Sequence, residues 1–423
     1  MFHTSPRFRF LGEWTCQQPP RMETPQLVPP SRPSPLLLLP REIKYQIVDY
    51  LGPRAILSLL DSRFITVNDL ATSHLLSEEE EDESTLLHAV SARERNEWTD
   101  AIIARYPNVS LRMACGETPL HLAVKMGHEK TAQKLIDAGA ELSVAAPYHS
   151  DYTPLLWAIH RLNKKMIRML LRNGADISQG DDEGWQPIHW ATRYGYQGTV
   201  QLLLSYGADV SAQSRWGVTP LHIAASYGRT RVAQKLLDHG ADQYIMAHTA
   251  GREEPYEAPL CAAVGEGKAS MVRVLLHSGF LQDTVALDMI GFPLLHLAAT
   301  GGFFGLIYAN QKIRSSVADD AQTEGYLTKN KINVAAYDEV LEMLIQPGMD
   351  VSRQFPAENL TDPSYAGSVT PLHYAAFWGR EKAVKLLLDA GADKSLETES
   401  GKTAIVLARA NKHYGVCELL GES

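Results

Sequence analysis

The sequence predicts an all-α solenoid built from one repeated helix-turn-helix-loop unit, and three observations lead to that expectation. The stretch Gly116-Glu117-Thr118-Pro119-Leu120-His121-Leu122-Ala123 returns as Gly217-Val218-Thr219-Pro220-Leu221-His222-Ile223-Ala224 and as Ser368-Val369-Thr370-Pro371-Leu372-His373-Tyr374-Ala375. Prolines recur at positions 119, 154, 187, 220, 259, 293 and 371, with separations of 35, 33, 33, 39, 34 and 78 residues. Six of them are followed 20 residues later by a glycine: Gly139, Gly174, Gly207, Gly240, Gly279 and Gly391. A steady period with a fixed distance inside each copy marks one supersecondary unit joined by connectors of variable length.

Local chemistry assigns each part of the unit. Threonine before proline is an N-cap, and proline in the first helical turn gives up no needed donor, so Thr118-Pro119 starts a helix. Gly127, Gly195, Gly228 and Gly379 stand where that short helix must end and can take the left-handed conformation that ends it. The apolar set Val200, Leu203 and Leu204 has helical spacing and predicts the second helix, stopped at Gly207 in the same way. Degenerate copies occur at Thr153-Pro154-Leu155, Gln186-Pro187-Ile188-His189, Ala258-Pro259-Leu260 and Phe292-Pro293-Leu294.

This pattern resembles the ankyrin repeat, whose period of about 33 residues and Thr-Pro-Leu-His signature it reproduces. The resemblance covers residues 85–423, about nine repeats, from an early copy at Thr85-Leu86-Leu87-His88 to a last copy at Gly401-Lys402-Thr403-Ala404 that reads as a terminal cap. One repeat is irregular: Pro293 lies 55 residues before Gly348, so an insertion is placed near residues 303–336. It is either a functional excursion or the trace of a decayed repeat.

The N-terminal region reads differently. Residues 1–34 are Pro-rich and expected to be disordered. Residues 35–76 are expected to form a helical module in which Pro40 starts a helix carrying Ile43, Ile47, Tyr50 and Leu51 on one face. The pattern Leu39-Pro40-x-Glu42-Ile43-x-x-x-Ile47-x-x-Tyr50-Leu51 is similar to the start of an F-box. That resemblance implies docking onto the Skp-type adaptor of a cullin ubiquitin ligase, with Leu39, Pro40, Ile43, Ile47 and Leu51 in the apolar adaptor contacts. The sequence departs from the family where Pro53-Arg54-Ala55 replaces an acidic start to the second helix. The same amphipathic helix would also serve as a cap on the first repeat. Residues 77–84 hold the run Glu78 to Glu83, −6 of the chain's net −9, and are read as an acidic linker.

Composition narrows the function. No apolar run approaches the length of a membrane span, no secretion signal is evident, and Cys16, Cys115, Cys261 and Cys417 form no CxxC pair, so cytosol or nucleus is the expected address. A balance this acidic does not suit direct nucleic-acid binding. No catalytic signature occurs, and no cofactor or metal is expected. Six of the fifteen histidines, at positions 88, 121, 189, 222, 296 and 373, recur at one motif position and are read as structural groups satisfied by backbone. Gly265-Glu266-Gly267-Lys268 lacks the spacing of a phosphate loop and reads as a repeat turn.

The ankyrin resemblance implies a protein ligand in the inner groove formed by the projecting loops and the first helices. The two residues before each turn glycine vary between copies: Lys125-Met126, Arg193-Tyr194, Ser226-Tyr227 and Phe377-Trp378. Aromatics and arginine dominate interface energetics, so Met126, Arg193, Tyr194, Tyr227, Phe377 and Trp378 are the predicted groove residues. Loop tips add Trp216, with Arg215, Tyr148, Tyr152 and Trp185, and an acidic patch at Asp181, Asp182 and Glu183. For any one aromatic, packing between adjacent repeats is the competing role. The expected function is a non-enzymatic protein-binding scaffold: a ligase substrate receptor, or a scaffold or transcriptional co-regulator without that link.

Overall fold

The computed structural model describes residues 86–92, 96–104, 108–147, 150–248, 255–278, 294–301, 333–346, 349–356 and 368–421. The Pro-rich tail, the F-box-like segment with Leu39, Pro40, Ile43, Ile47 and Leu51, the acidic run and most of the 303–336 span lie outside the described residues.

Helices come in pairs: α1 Leu86–Ser91 with α2 Asn96–Ile103, α3 Pro119–Met126 with α4 Glu129–Asp137, α5 Pro154–His160 with α6 Lys164–Arg172, and α7 Pro187–Arg193 with α8 Gln197–Ser205. They continue as α9 Pro220–Ser226 with α10 Thr230–Asp238, α11 Pro259–Gly265 with α12 Ala269–His277, and α13 Leu294–Thr300 with α14 Val334–Leu344. Two more pairs follow: α15 Pro371–Phe377 with α16 Glu381–Asp389, and α17 Ala404–Ala410 with α18 Tyr414–Leu420. Two short antiparallel hairpins precede α11 and α15: Ala247–His248 with Pro255–Glu257, and Phe355–Pro356 with Ser368–Val369. The chain divides into two compact units, one holding Phe8–Ala191 and Gly198–Asp209, the other Thr192–Gln197 and Val210–Ser423.

The threonine-proline starts behave as expected. Thr118, Thr219 and Thr370 each form a capping box with the histidine three residues on. In the first, the Thr118 hydroxyl accepts from the His121 N–H at 3.4 Å, and the Thr118 N–H donates to His121 Nδ1 at 3.1 Å. Because Nδ1 accepts, the ring proton sits on Nε2, which donates to the Tyr152 carbonyl of the next repeat at 3.2 Å. His88, His296 and His373 reach Glu117 O, Val369 O and Leu396 O at 3.3, 3.0 and 3.1 Å. Each of these rings thus closes a contact toward the following repeat. Thr219→Ala removes one such cap and should lower stability by about 1 kcal/mol, read as a shift in the urea midpoint.

The turn glycines also take their expected role. Gly127 between α3 and α4 has φ 80°, and Gly139 after α4 has φ 88°, a region where a Cβ would be strained. Gly265–Lys268 is the turn from α11 into α12.

In the first unit, α1, α3 and α5 pack in a row, as do α2, α4 and α6 behind them. In the second unit, α9, α11, α13, α15 and α17 form one row, and α12, α14, α16 and α18 the other. Small residues let the rows approach: Ala123, Ala158, Ala224, Ala263, Ala298 and Ala375 have no exposed surface, and leucines such as Leu135, Leu170 and Leu236 fill the space behind.

A further stitch runs along the loops. The Glu141 N–H donates to Ser110 Oγ at 2.8 Å and the Asp176 N–H to Ser143 Oγ at 2.8 Å. In the second unit the Asp242 N–H donates to Ser211 Oγ at 3.0 Å and the Asp393 N–H to Ser352 Oγ at 2.8 Å. The serine two places behind an acidic or amide residue ties its own repeat to the next, a role that the sequence reading did not assign.

The irregular repeat still pairs its two helices. Its second helix, α14, opens at Val334, so the end of the span read as insertion is helical. Arg380, from the turn into α16, is 5% exposed and donates to Ala298 O at 3.0 Å, to Ala299 O at 3.3 Å and to the Asp338 carboxylate on α14. The Tyr337 hydroxyl donates to Gly265 O at 2.8 Å. A buried ion pair and a phenol therefore hold α14 in its repeat position across the interrupted sequence.

Candidate partner-binding surface

Aromatic and cationic side chains gather at the ends of the first helices and in the loops before them. In the first unit, Trp157 on α5 and Trp190 on α7 occupy the same place in the repeat, three residues after the helix-starting proline, and both are half-buried. The Tyr152 ring lies between them, edge-to-face, with centroids 5.4 Å from Trp157 and 5.7 Å from Trp190. Lys125 sits 4.7 Å from the Trp157 ring centre while its Nζ pairs with Glu117 at 2.9 Å, which places a held cation at one end of the cluster. Trp157 and Trp190 were not singled out from the sequence. Their signal was present in the register, because the residue after the motif's histidine position faces the same side as the variable pair one turn later.

Two loop residues do not sit as predicted. Trp185, expected at a loop tip, is only 7% exposed and packs 5.3 Å from Trp190 and 6.1 Å from His189. Asp181, expected in an acidic patch, is 8% exposed. It accepts from the Glu183 and Trp185 N–H groups and from Trp190 Nε1, at 3.1, 2.8 and 2.8 Å. The short carboxylate satisfies the backbone of its own turn, and this draws the turn inward. Burial pushes its carboxyl up to about 6 against the lowering effect of those bonds. Asp182 and Glu183 remain exposed.

In the second unit, the predicted Arg193, Tyr194 and Tyr227 come together, joined by Tyr196 and Arg229, which the sequence reading missed. The Arg193 guanidinium lies 5.9 Å and that of Arg229 6.0 Å from the Tyr227 ring centre. Arg229 Nε also donates to Arg193 O at 3.3 Å, and Tyr194 stacks on Tyr196 with centroids 5.1 Å apart. Burial pushes the Tyr194 and Tyr227 phenols up to about 12, so both remain neutral near pH 7. The Ser226 hydroxyl donates to His222 O at 3.1 Å.

Phe377 and Trp378 form a T-shaped pair with centroids 5.0 Å apart, and His413 Nε2 donates to the Phe377 carbonyl at 3.0 Å. Met126 at 49% and Trp216 at 38% are the more open of the predicted residues. Tyr148 lies outside the described residues. Chemically, these clusters offer stacking faces, neutral phenols and guanidinium groups already ordered by their neighbours, which favours capture of a polypeptide over group transfer. Among the described residues, no group of three or more His, Cys, Asp or Glu is placed to hold a metal ion, and no helix is long and apolar enough to cross a membrane.

Family comparison supports the repeat assignment. Models for ankyrin repeats in three copies match residues 143–214 and 332–423, one for ankyrin repeats in many copies matches 203–245, and one for a single ankyrin repeat matches 115–146. Together these spans cover more than half of the chain. The chain is 30% identical over 174 residues to the Nuclear factor NF-kappa-B p105 subunit of Gallus gallus, covering 34% of this chain and 17% of that protein. It is 42% identical over 80 residues to Protein phosphatase 1 regulatory subunit 12A of Mus musculus, covering 18% of this chain and 7% of that protein. Each match is thus a small part of the relative's length. Among solved structures, the human ASB11 ankyrin repeat domain aligns with TM-score 0.40 and 26% identity, over 49% of this chain and 91% of that one.

Proposed function

The chain belongs to the ankyrin-repeat family, and from that premise we propose that it is a non-enzymatic scaffold that holds a protein ligand against the ends of its first helices. The observation that carries this reading is the Arg193, Tyr227 and Arg229 ladder with the stacked Tyr194 and Tyr196. Aromatic and arginine side chains already ordered by one another lose little freedom on binding and supply most of the energy at protein interfaces. Within the same unit, Phe377, Trp378 and the open Trp216 extend the set of contacts; the first unit offers a set of its own in Met126 and the Tyr152, Trp157 and Trp190 cluster.

The finer reading is a substrate receptor of a cullin ubiquitin ligase. It is supported by the apolar pattern of Leu39, Pro40, Ile43, Ile47 and Leu51 ahead of a large binding array. The second reading is a scaffold or transcriptional co-regulator with no ligase link. It is supported by similarity, over the repeats alone, to proteins named as a nuclear factor subunit and a phosphatase regulatory subunit.

One affinity-capture experiment with the full chain separates them. The wild type should recover a Skp-type adaptor and cullin, and the Pro40→Ala/Ile43→Ala variant should recover neither. Arg193→Ala/Tyr227→Ala should keep the adaptor but weaken capture of the remaining ligand at least tenfold, since interface hot spots contribute about 2 kcal/mol or more each. Recovery of the same proteins by all three would overturn both assignments, and loss of only the groove ligand, with no adaptor in any sample, would leave the scaffold reading.

A further inference from the structure

The face of the repeats opposite the groove carries a charge anomaly that the scaffold reading does not use. Helix α6, with sequence KKMIRMLLR, holds Lys164, Lys165, Arg168 and Arg172 and no acidic residue. Among the other second helices, net charge runs from −3 on α14 to +1 on α10 and α12. All four side chains are exposed, as is Arg161 in the preceding turn. The partial neutralisers on the adjacent α4 are few: Glu129 lies 3.8 Å from Lys165, and Asp137 accepts from Gln133 at 2.7 Å. Between α4 and α6 runs a shallow groove lined by Gln133, Lys165, Arg168, Met169, Arg172 and Asn173.

The same unit of the chain holds the opposite charge. Residues 78–83, Glu-Glu-Glu-Glu-Asp-Glu, carry −6 and end three residues before Leu86, the first residue of α1. The chain reverses between α5 and α6 at residues 161–163, so the Arg168 and Arg172 end of α6 lies on the edge of the repeats where first helices such as α1 and α5 begin. With packed helices 8–10 Å apart, α6 stands about 20 Å along the stack from α1. The eight residues from Glu78 to Leu86 span up to about 26 Å when extended. The reach suffices.

We propose that the acidic run 78–83 docks in cis on the basic groove between α4 and α6, so that the segment read as a linker is the groove's resident occupant. A single exposed ion pair contributes little, but a few carboxylates meeting the groove cations Lys165, Arg168 and Arg172 on a short tether act at an effective concentration in the millimolar range. The contact is accordingly sensitive to salt, with a screening length of about 10 Å at 0.1 M.

Zero-length carbodiimide cross-linking of the full chain, followed by peptide mass spectrometry, tests the contact directly. Links from carboxylates of residues 78–83 to Lys164 or Lys165 should form within one molecule, judged by mixing isotopically light and heavy protein. They should fall several-fold in Arg168→Gln/Arg172→Gln, which keeps both lysines, and in 0.5 M salt. Links spread evenly over lysines elsewhere would overturn the proposal, and links only between light and heavy molecules would assign the groove to a second copy instead. A free hexaglutamate peptide provides the second readout. Neutralising residues 78–83 to Gln and Asn should tighten its binding roughly tenfold, because the tethered competitor is gone. Equal binding by both proteins would mean that the run does not occupy the groove, whatever external acidic partner does.

Discussion

Lowering the pH from 7 to 5 should destabilise the first unit by about 3 kcal/mol net, and the cause is a set of histidines that the fold keeps neutral. Burial lowers His88, His121 and His296 to about 4 against an ordinary value of 6.5, outweighing the backbone carbonyls that favour the charged ring. In each case the folded-state value lies below the unfolded one. At pH 7 both states are neutral and the histidines cost nothing. As the pH falls below 6.5, the unfolded chain takes up protons that the fold refuses, so stability is lost from 6.5 down to about 4. At pH 5 each ring accounts for about 2 kcal/mol, with His88 and His121 both in the first unit. Asp181 works in the opposite sense: its carboxyl, raised to about 6, is strained as an anion at pH 7, and protonation returns about 1 kcal/mol by pH 5. The check is the urea midpoint at pH 7 and 5 for the wild type and for His121→Gln. The variant should be less stable at pH 7 but should lose about 2 kcal/mol less on acidification. An unchanged midpoint in the wild type would show that these rings are not held neutral.

Asp338→Ala should cost about 3–5 kcal/mol in the second unit, because it strands a buried guanidinium. Arg380 and Asp338 are 5% and 6% exposed, and the guanidinium also serves Ala298 O and Ala299 O. Desolvation lowers the Arg380 pKa, and the Asp338 charge is the largest effect working against that loss. Removing the carboxylate leaves the desolvation penalty without its main compensation. The double variant Asp338→Ala/Arg380→Met should be more stable than Asp338→Ala alone, since no charge remains buried, although two carbonyls then lose a donor. Urea unfolding of the wild type, both single variants and the double variant measures the coupling. A cost below about 1 kcal/mol for Asp338→Ala would mean that Arg380 reaches water when its partner is gone, and that the pair does not hold α14 in place.

Much of the repeat was legible in the sequence because its instructions are local. Thr118 caps a helix through a residue three positions away, Gly127 ends it by its own backbone freedom, and His121 belongs to the same turn. Hence the helix pairs, the turn glycines and the structural histidines could be read from neighbours alone. The candidate surface was legible only in part. Arg193, Tyr194 and Tyr227 were found from their place before the turn glycine, whereas Trp157, Trp190, Tyr196 and Arg229 were not. Trp185 and Asp181 had surface-like loop positions but turned inward, because the carboxylate of Asp181 serves the backbone of its own turn and the indole of Trp190.

What the sequence determined by itself was the repeating unit, since capping, turn conformation and helical periodicity act over a few residues and recur in phase. What only the tertiary structure decided was which side chains meet between units. Arg380 and Asp338 stand 42 residues apart, and the serine stitches join residues 31 to 41 apart. The Tyr152, Trp157 and Trp190 cluster likewise draws on two repeats. Such pairs are set by the stacking of one repeat on the next, in which burial and desolvation depend on neighbours far along the chain.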